Sequence, residues 1–151
     1  MMPAMFDSMV VGTDGSETAT EAVRQAATLA KQLGAKIHLV SAYEPVPEGR
    51  LREERQQVPD DLQWAINARE DVEATLRGAA AEADAAGVPV TTYGREGDPA
   101  DAILDVAEER GADLIVVGNK GMTGAKRFLL GSVPNRVSHH APCSVLIIRT
   151  T

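Results

Sequence analysis

The sequence predicts an α/β fold in three layers: one five-stranded parallel sheet with helices on both faces. Three observations lead there. Apolar runs of strand length alternate with helix-period segments from end to end, the pattern of repeated βαβ units. The segments between consecutive strands are long enough to be crossovers joining parallel neighbours. And Leu114-Ile115-Val116-Val117 is wholly apolar, as a strand covered on both faces must be.

The elements follow in order. Met9-Val10-Val11, between Asp7-Ser8 and Gly12, marks a first strand over 6–13. Thr18 with Glu21 three residues later makes a capping box for the first helix, in which Ala19, Ala22, Val23, Ala26, Ala27, Ala30 and Leu33 share one face. Gly34 stands where a left-handed helix cap is wanted. Ile37, Leu39 and Val40 form the apolar part of a second strand, 36–43. Residues 44–61 are polar and punctuated by Pro45 and Pro47, which predicts a surface loop. A second helix over 62–86 carries Leu62, Ile66, Val72, Leu76, Ala79, Ala83 and Ala86 in one stripe and stops at Gly87.

The third strand covers 88–95. Asp98 can cap a third helix and Pro99 suits its first position. Ile103, Leu104 and Ala107 form its expected buried face, and Gly111 ends it. After the apolar fourth strand, 118–130 is a loop, 133–140 a short helix and 143–149 the last strand. One domain spans 1–151, with no internal repeat.

Composition narrows the function. The 151 residues are 44% hydrophobic, 25% charged and only 3% aromatic, so the core is built from Ala, Val, Leu and Ile. A single cysteine, Cys143, leaves no internal disulfide and no multi-cysteine metal cluster. No run approaches the length of a membrane span, and Met1-Met2-Pro3-Ala4-Met5 lacks the features of a signal peptide. A cytoplasmic protein without a membrane partner is expected. The net charge of −7 argues against broad nucleic-acid binding. Its distribution is uneven: from Leu114 onward there is no acidic residue, and Lys120, Lys126, Arg127, Arg136 and Arg149 give +5, leaving −12 on residues 1–113. A small basic region on an acidic protein suits an anionic ligand of limited size.

Open parallel sheets bind ligands outside the carboxyl ends of their strands. Three segments place unusual residues there: Gly12-Thr13-Asp14-Gly15-Ser16, Ser41-Ala42-Tyr43, and Gly118-Asn119-Lys120-Gly121, the last running on to Gly131-Ser132-Val133 at a helix start. Unpaired N–H groups and the helix dipole favour phosphate at such a start. Gly131 lets backbone approach an anion, and the Ser132 hydroxyl can cap the helix or bind phosphate oxygen. Taken one at a time, each glycine is explained by turn geometry. Neither G-x-x-x-x-G-K-[ST] nor G-x-G-x-x-G occurs, so a P-loop and a dinucleotide fingerprint are both missing.

Gly118-Asn119-Lys120-Gly121, nine residues, then Gly131-Ser132 matches the G-x2-G-x9-G-[ST] signature of the ATP-binding universal stress proteins. The chain resembles that family over about 6–149, including Val10-Val11-Gly12-Thr13-Asp14-Gly15-Ser16 at the front and the run from Ser138 to Ile148 at the back. The loop at 44–61 is least alike. The resemblance implies a Rossmann-like sheet of order 3-2-1-4-5. It implies that Thr13 and Asp14 meet the ribose and adenine side of a nucleotide and that Ala42 lines the adenine pocket. Gly118, Gly121, Gly131, Ser132 and Val133 match phosphate-binding positions, and Asn119 belongs to the same cofactor-binding set. ATP, with or without Mg²⁺, is the implied cofactor. Cyclic AMP is the alternative, because Gly131-Ser132-Val133-Pro134 and Thr150-Thr151 look like a subgroup of actinobacterial members, some of which bind it. Pro134 departs from the small residue common there and removes one N–H. Family members commonly dimerise through the last strand, so Val145, Leu146, Ile147 and Ile148 imply a homodimer.

Other chemistry is less well supported. Asp14 as a phosphoacceptor would need further carboxylates to hold Mg²⁺, and Asp7 lies at the other end of its strand. His139 and His140 are adjacent, so they point to different helix faces and serve one metal ion poorly. Cys143 enters an apolar strand and is expected to be buried and inert. No Ser-His-Asp arrangement or pair of catalytic carboxylates emerges, so a nucleotide-binding regulatory module is expected rather than an enzyme. A dimeric interaction protein with an empty glycine loop is the rival. Gly131→Val should abolish nucleotide binding in a protein that still folds, because a branched side chain would stand where the anion meets backbone; titration of the folded variant with ATP checks this.

Overall fold

Five short runs pair edge to edge into one sheet, and helices wrap it because its central runs are too apolar to leave a face in water. The structure, a computed structural model, describes residues 6–43, 60–119 and 132–150. In chain order the elements are β1 (Ser8–Gly12), α1 (Glu17–Leu33), β2 (Lys36–Tyr43), α2 (Asp60–Ala85), β3 (Val90–Glu96), α3 (Pro99–Glu109), β4 (Leu114–Gly118), α4 (Ser132–His140) and β5 (Ser144–Ile148). The sheet order is β3-β2-β1-β4-β5 with every pairing parallel, as the sequence and its resemblance imply.

The two-residue period of the strands divides the core. Met9 and Val11 of β1 join Ile37, Leu39, Leu114 and Val116 beneath α1 and α2. Val10 joins Val40, Ile115 and Val117 beneath α3 and α4. Helix α1 lies close because its buried face is Ala22, Val23, Ala26, Ala27 and Ala30.

Element boundaries show local chemistry at work. Helix α1 begins at Glu17, capped by Ser16, whose hydroxyl accepts the Ala19 N–H at 3.2 Å. The expected cap, Thr18, lies inside the first turn, with its hydroxyl 3.2 Å from that of Ser16. Gly15, at φ +81°, turns the chain so that Ser16 and not Thr18 meets the open N–H groups. Gly34 closes α1 at φ 70°, its N–H donating to the Ala30 carbonyl. Helix α2 begins at Asp60, so the last two residues of the expected loop belong to the helix. The rest of that loop, 44–59, lies outside the described residues. Strand β3 starts at Val90 instead of Val88, after Pro89, which has no N–H for the ladder.

Asp98 caps α3 as expected, accepting the Asp101 N–H at 3.1 Å. Its buried face is Ala100, Ala102, Ile103, Val106 and Ala107; Leu104, expected there, is only half-buried at the margin. At the amino end of the sheet, Asp113 accepts N–H groups from Asp7 at 2.8 Å and Ser8 at 3.1 Å, fastening β1 to the start of β4.

One buried polar cluster was not visible in the sequence. His38 sits at 7% exposure on the α3 side of β2, with Nδ1 2.9 Å from the Tyr93 hydroxyl and Nε2 3.1 Å from the Ser8 hydroxyl. Burial, with the charges of Lys36 and Arg110 nearby, pushes the imidazole pKa down. A lowered folded-state pKa means that the unfolded chain takes up the proton first. The stability that His38 contributes is therefore complete above about pH 6.5 and lost as pH falls towards the folded value. Thermal melts across pH 5–8 should show that decline, and His38→Gln should flatten it. Ile103→Ala, emptying a site with no solvent exposure, should cost about 2–5 kcal/mol in denaturant unfolding.

Candidate functional site

The chain leaves β1 towards β2 on one side and reaches β4 on the other, so the sheet has its switch point between β1 and β4. The register pairing Val11 with Val116 carries Thr13 to the level of Gly118. Two of the sequence-predicted segments therefore meet at the carboxyl end of the sheet.

The first is a tight turn. Thr13 is buried, and its N–H donates to the Val40 carbonyl at 2.9 Å, extending the β1–β2 ladder by one bond. Its hydroxyl accepts the Gly15 N–H at 3.2 Å, while Asp14 Oδ1 accepts the Ser16 N–H at 2.9 Å. Asp14 is exposed at the apex, in a side-chain-to-backbone turn that Asp forms readily. The turn delivers the chain directly into α1, so the amino end of that helix opens at the same edge. Ala42, half-buried near the end of β2, packs on the α3 side.

The second segment ends β4. Gly118 is half-buried there, and a Cβ added to it would meet nothing nearer than Thr150 at 3.8 Å and Ala22 at 3.9 Å. Asn119 follows, its N–H donating to the Ile148 carbonyl at 3.0 Å. Its side-chain oxygen accepts both the Thr150 N–H at 2.9 Å and the Thr150 hydroxyl at 3.1 Å. Asn119 thus fastens the chain end across the mouth of β4 and β5, a structural task that its place in the motif did not reveal. Ser132 is exposed at the start of α4, and Val133 and Pro134 are buried behind it. Gly121 and Gly131 lie outside the described residues, as do Lys120, Lys126 and Arg127.

The remaining candidates fall elsewhere. Arg136, counted in the basic region, is held by Asp101 of α3 at 2.8 Å. His139 and His140 are exposed in the last turn of α4. Cys143 is half-buried rather than buried, and desolvation, with Asp113 adding to it, pushes its thiol pKa up, which keeps it unreactive. Among the described residues, no group of three His, Cys, Asp or Glu side chains is placed to hold a metal ion. A cavity of about 350 Å³ lies on the other face of β3, lined by Tyr43, Val72, Leu76, Thr92 and Gly94 among others, and includes none of the expected site residues.

Beside β1 and β4 the carboxyl end offers the starts of α1 and α4 with their backbone N–H groups, the exposed carboxylates of Asp14 and Glu17, and small residues.

The universal stress protein family matches residues 5–149. A universal stress protein of Mycobacterium tuberculosis is 37% identical over 147 residues, covering 97% of this chain and 98% of the relative. One from Methanocaldococcus jannaschii is 33% identical over 148 residues, 96% of this chain and 83% of the relative. Among solved structures, a universal stress protein in complex with cAMP superposes with a TM-score of 0.71 at 34% identity, covering 97% of this chain and 98% of that one. A family member from Burkholderia pseudomallei gives 0.73 at 28% identity, with the same coverage. With a family match over nearly its whole length and the same fold in solved members, this chain belongs to the universal stress protein family.

Proposed function

We propose that this protein binds an adenine nucleotide at the carboxyl ends of β1, β2 and β4 and works as a regulatory module rather than an enzyme. The observation that carries this is the meeting of the Thr13–Ser16 turn with Gly118 at the switch point, beside the start of α4. Gly118 supports it in a particular way. It has no positive φ, and among the described residues no neighbour crowds it, so these residues do not require a glycine there. A ligand lying against that backbone would. In this reading Thr13 and Asp14 face the sugar and base, Ala42 borders the base, and Gly118, Asn119, Gly121, Gly131, Ser132 and Val133 serve the phosphates.

ATP is the ligand favoured by the basic C-terminal region, since each added phosphate brings charge for Lys126, Arg127 and the N–H groups at the helix start. Mg²⁺ would accompany it as the counter-ion of the phosphates. Cyclic AMP is the second reading, and a specific observation favours it: a structure 34% identical over nearly the whole chain was solved in complex with cAMP. Thermal shift separates them. A ligand at 100 times its dissociation constant raises stability by about 2.7 kcal/mol. ATP should raise the midpoint at lower concentration than cyclic AMP; the reverse order makes cyclic AMP the ligand, and no shift with either leaves an interaction protein.

The same protein is proposed to be a homodimer through β5. Among the described strands, β5 pairs only with β4, and it exposes Leu146 at 37% and Ile147 at 36% beside half-buried Val145, while Ile148 turns into the core. An apolar sheet edge of this kind invites a second copy. Light scattering at micromolar concentration should give twice the monomer mass, and Leu146→Lys should return the monomer.

A further inference from the structure

Helix α2 is not part of any expected site, yet it touches the turn that the proposed function depends on. A Cβ on Gly15 would stand 2.9 Å from Thr75 Oγ1 and 3.2 Å from its Cγ2. Thr75 is half-buried, and its hydroxyl and methyl fill the space where residue 15 would carry a side chain. Gly15 itself stands at φ +81°, between the two side-chain bonds that shape the turn: Thr13 Oγ1 holds its N–H, and Asp14 Oδ1 holds that of Ser16. The support behind Thr75 is firm. Val72 and Leu76 are buried on the sheet, and a Cβ on Gly94 would come within 3.3 Å of Val72, so α2 lies tightly on β3. On the α1 side, Arg24 reaches Glu82 at 3.3 Å.

We propose that Thr75 is a positioning residue for the nucleotide-binding turn, setting through its contact with Gly15 where Thr13 and Asp14 stand. The inference rests on the adenine-nucleotide reading above and adds a residue to it from an element that touches no ligand. Because the contact is one of shape, it transmits small movements of α2 to the sugar and base end of the site, while the phosphate end at α4 is untouched. First contacts tolerate only about 0.5 Å before affinity falls, so a displacement of Gly15 beyond that misplaces Asp14.

Calorimetric titration with ATP and with cyclic AMP tests this on the full chain and on Thr75→Ala, Thr75→Val and Thr75→Met. Thr75→Val, which keeps the shape, should bind the tighter of the two ligands within about twofold of the wild type. Thr75→Ala should lose about threefold to tenfold, and Thr75→Met, which pushes on the turn, more than tenfold. In the free protein, the amide resonances of Asp14 and Gly15 should shift in Thr75→Ala while those of Ser132 and Val133 stay. Wild-type affinity in both Thr75→Ala and Thr75→Met, each folded by circular dichroism, overturns the proposal and leaves the nucleotide reading standing. A wild type that binds neither ligand overturns both.

Discussion

The central strands β1 and β4 are buried on both faces, and the rest of the molecule follows from that constraint. Met9, Val10, Val11, Ile115 and Val116 have no solvent exposure at all. Such strands cannot turn a face to water, so helices must cover the sheet from both sides and every connection must cross over. With few aromatics available, close approach has to come from small residues, and the alanines of α1 supply it. Placing β1 in the middle then forces the chain to depart to opposite sides, and a cleft opens where β1 and β4 part.

The two ends of the sheet are finished differently. At the amino end, polar groups are spent on the protein: Asp113 takes two N–H groups of the chain entering β1, and His38 lies between the hydroxyls of Ser8 and Tyr93. Further along β3, Tyr93 is flanked by Arg110, 5.2 Å from its ring centre, and by Arg95 near the strand's carboxyl end, whose guanidinium is forked onto Glu109. At the carboxyl ends of β1 and β4 the residues are small, the turn after β1 is held by its own side chains, and α1 and α4 begin.

Much of this was legible because it depends on local period and punctuation. Strand runs, alanine stripes, Gly34 and the Asp98-Pro99 start can be read from neighbours a few residues apart; the five strands are all present, with boundaries moved by a residue or two, and Gly34 and Asp98 cap as expected. What could not be read depends on distant partners. Ser16 and Thr18 both fit a cap, and only the turn at Gly15 decides between them. Leu104 and Val106 are two residues apart, and the seating of α3 on the sheet buries the second more deeply. His38 looks like a misplaced polar residue until Tyr93 and Ser8 arrive from other strands. At the site, Thr13, Asp14 and Gly118 were visible as turn residues and motif positions, and the structure brings them to one edge. Thr75 carried no signal, since a threonine on a helix shows its purpose only when the helix is packed.

The distribution of perturbed groups bears on what the cleft does. A catalytic site needs acids and bases whose ionisation is tuned by burial or by charged neighbours. Among the described residues, the two groups whose ionisation is displaced chiefly by burial are His38 and Cys143. Neither is at the cleft. His38 bonds to Ser8 at the first residue of β1, and Cys143 immediately precedes β5, so both lie towards the amino ends of their strands. The groups that the described residues present there, an exposed carboxylate fixed in a turn and a glycine whose nearest neighbours lie only at ordinary contact distance, suit recognition of shape and charge. Ligand-dependent change in such a site has to travel through packing, and the Thr75–Gly15 contact is a place where packing on α2 reaches it.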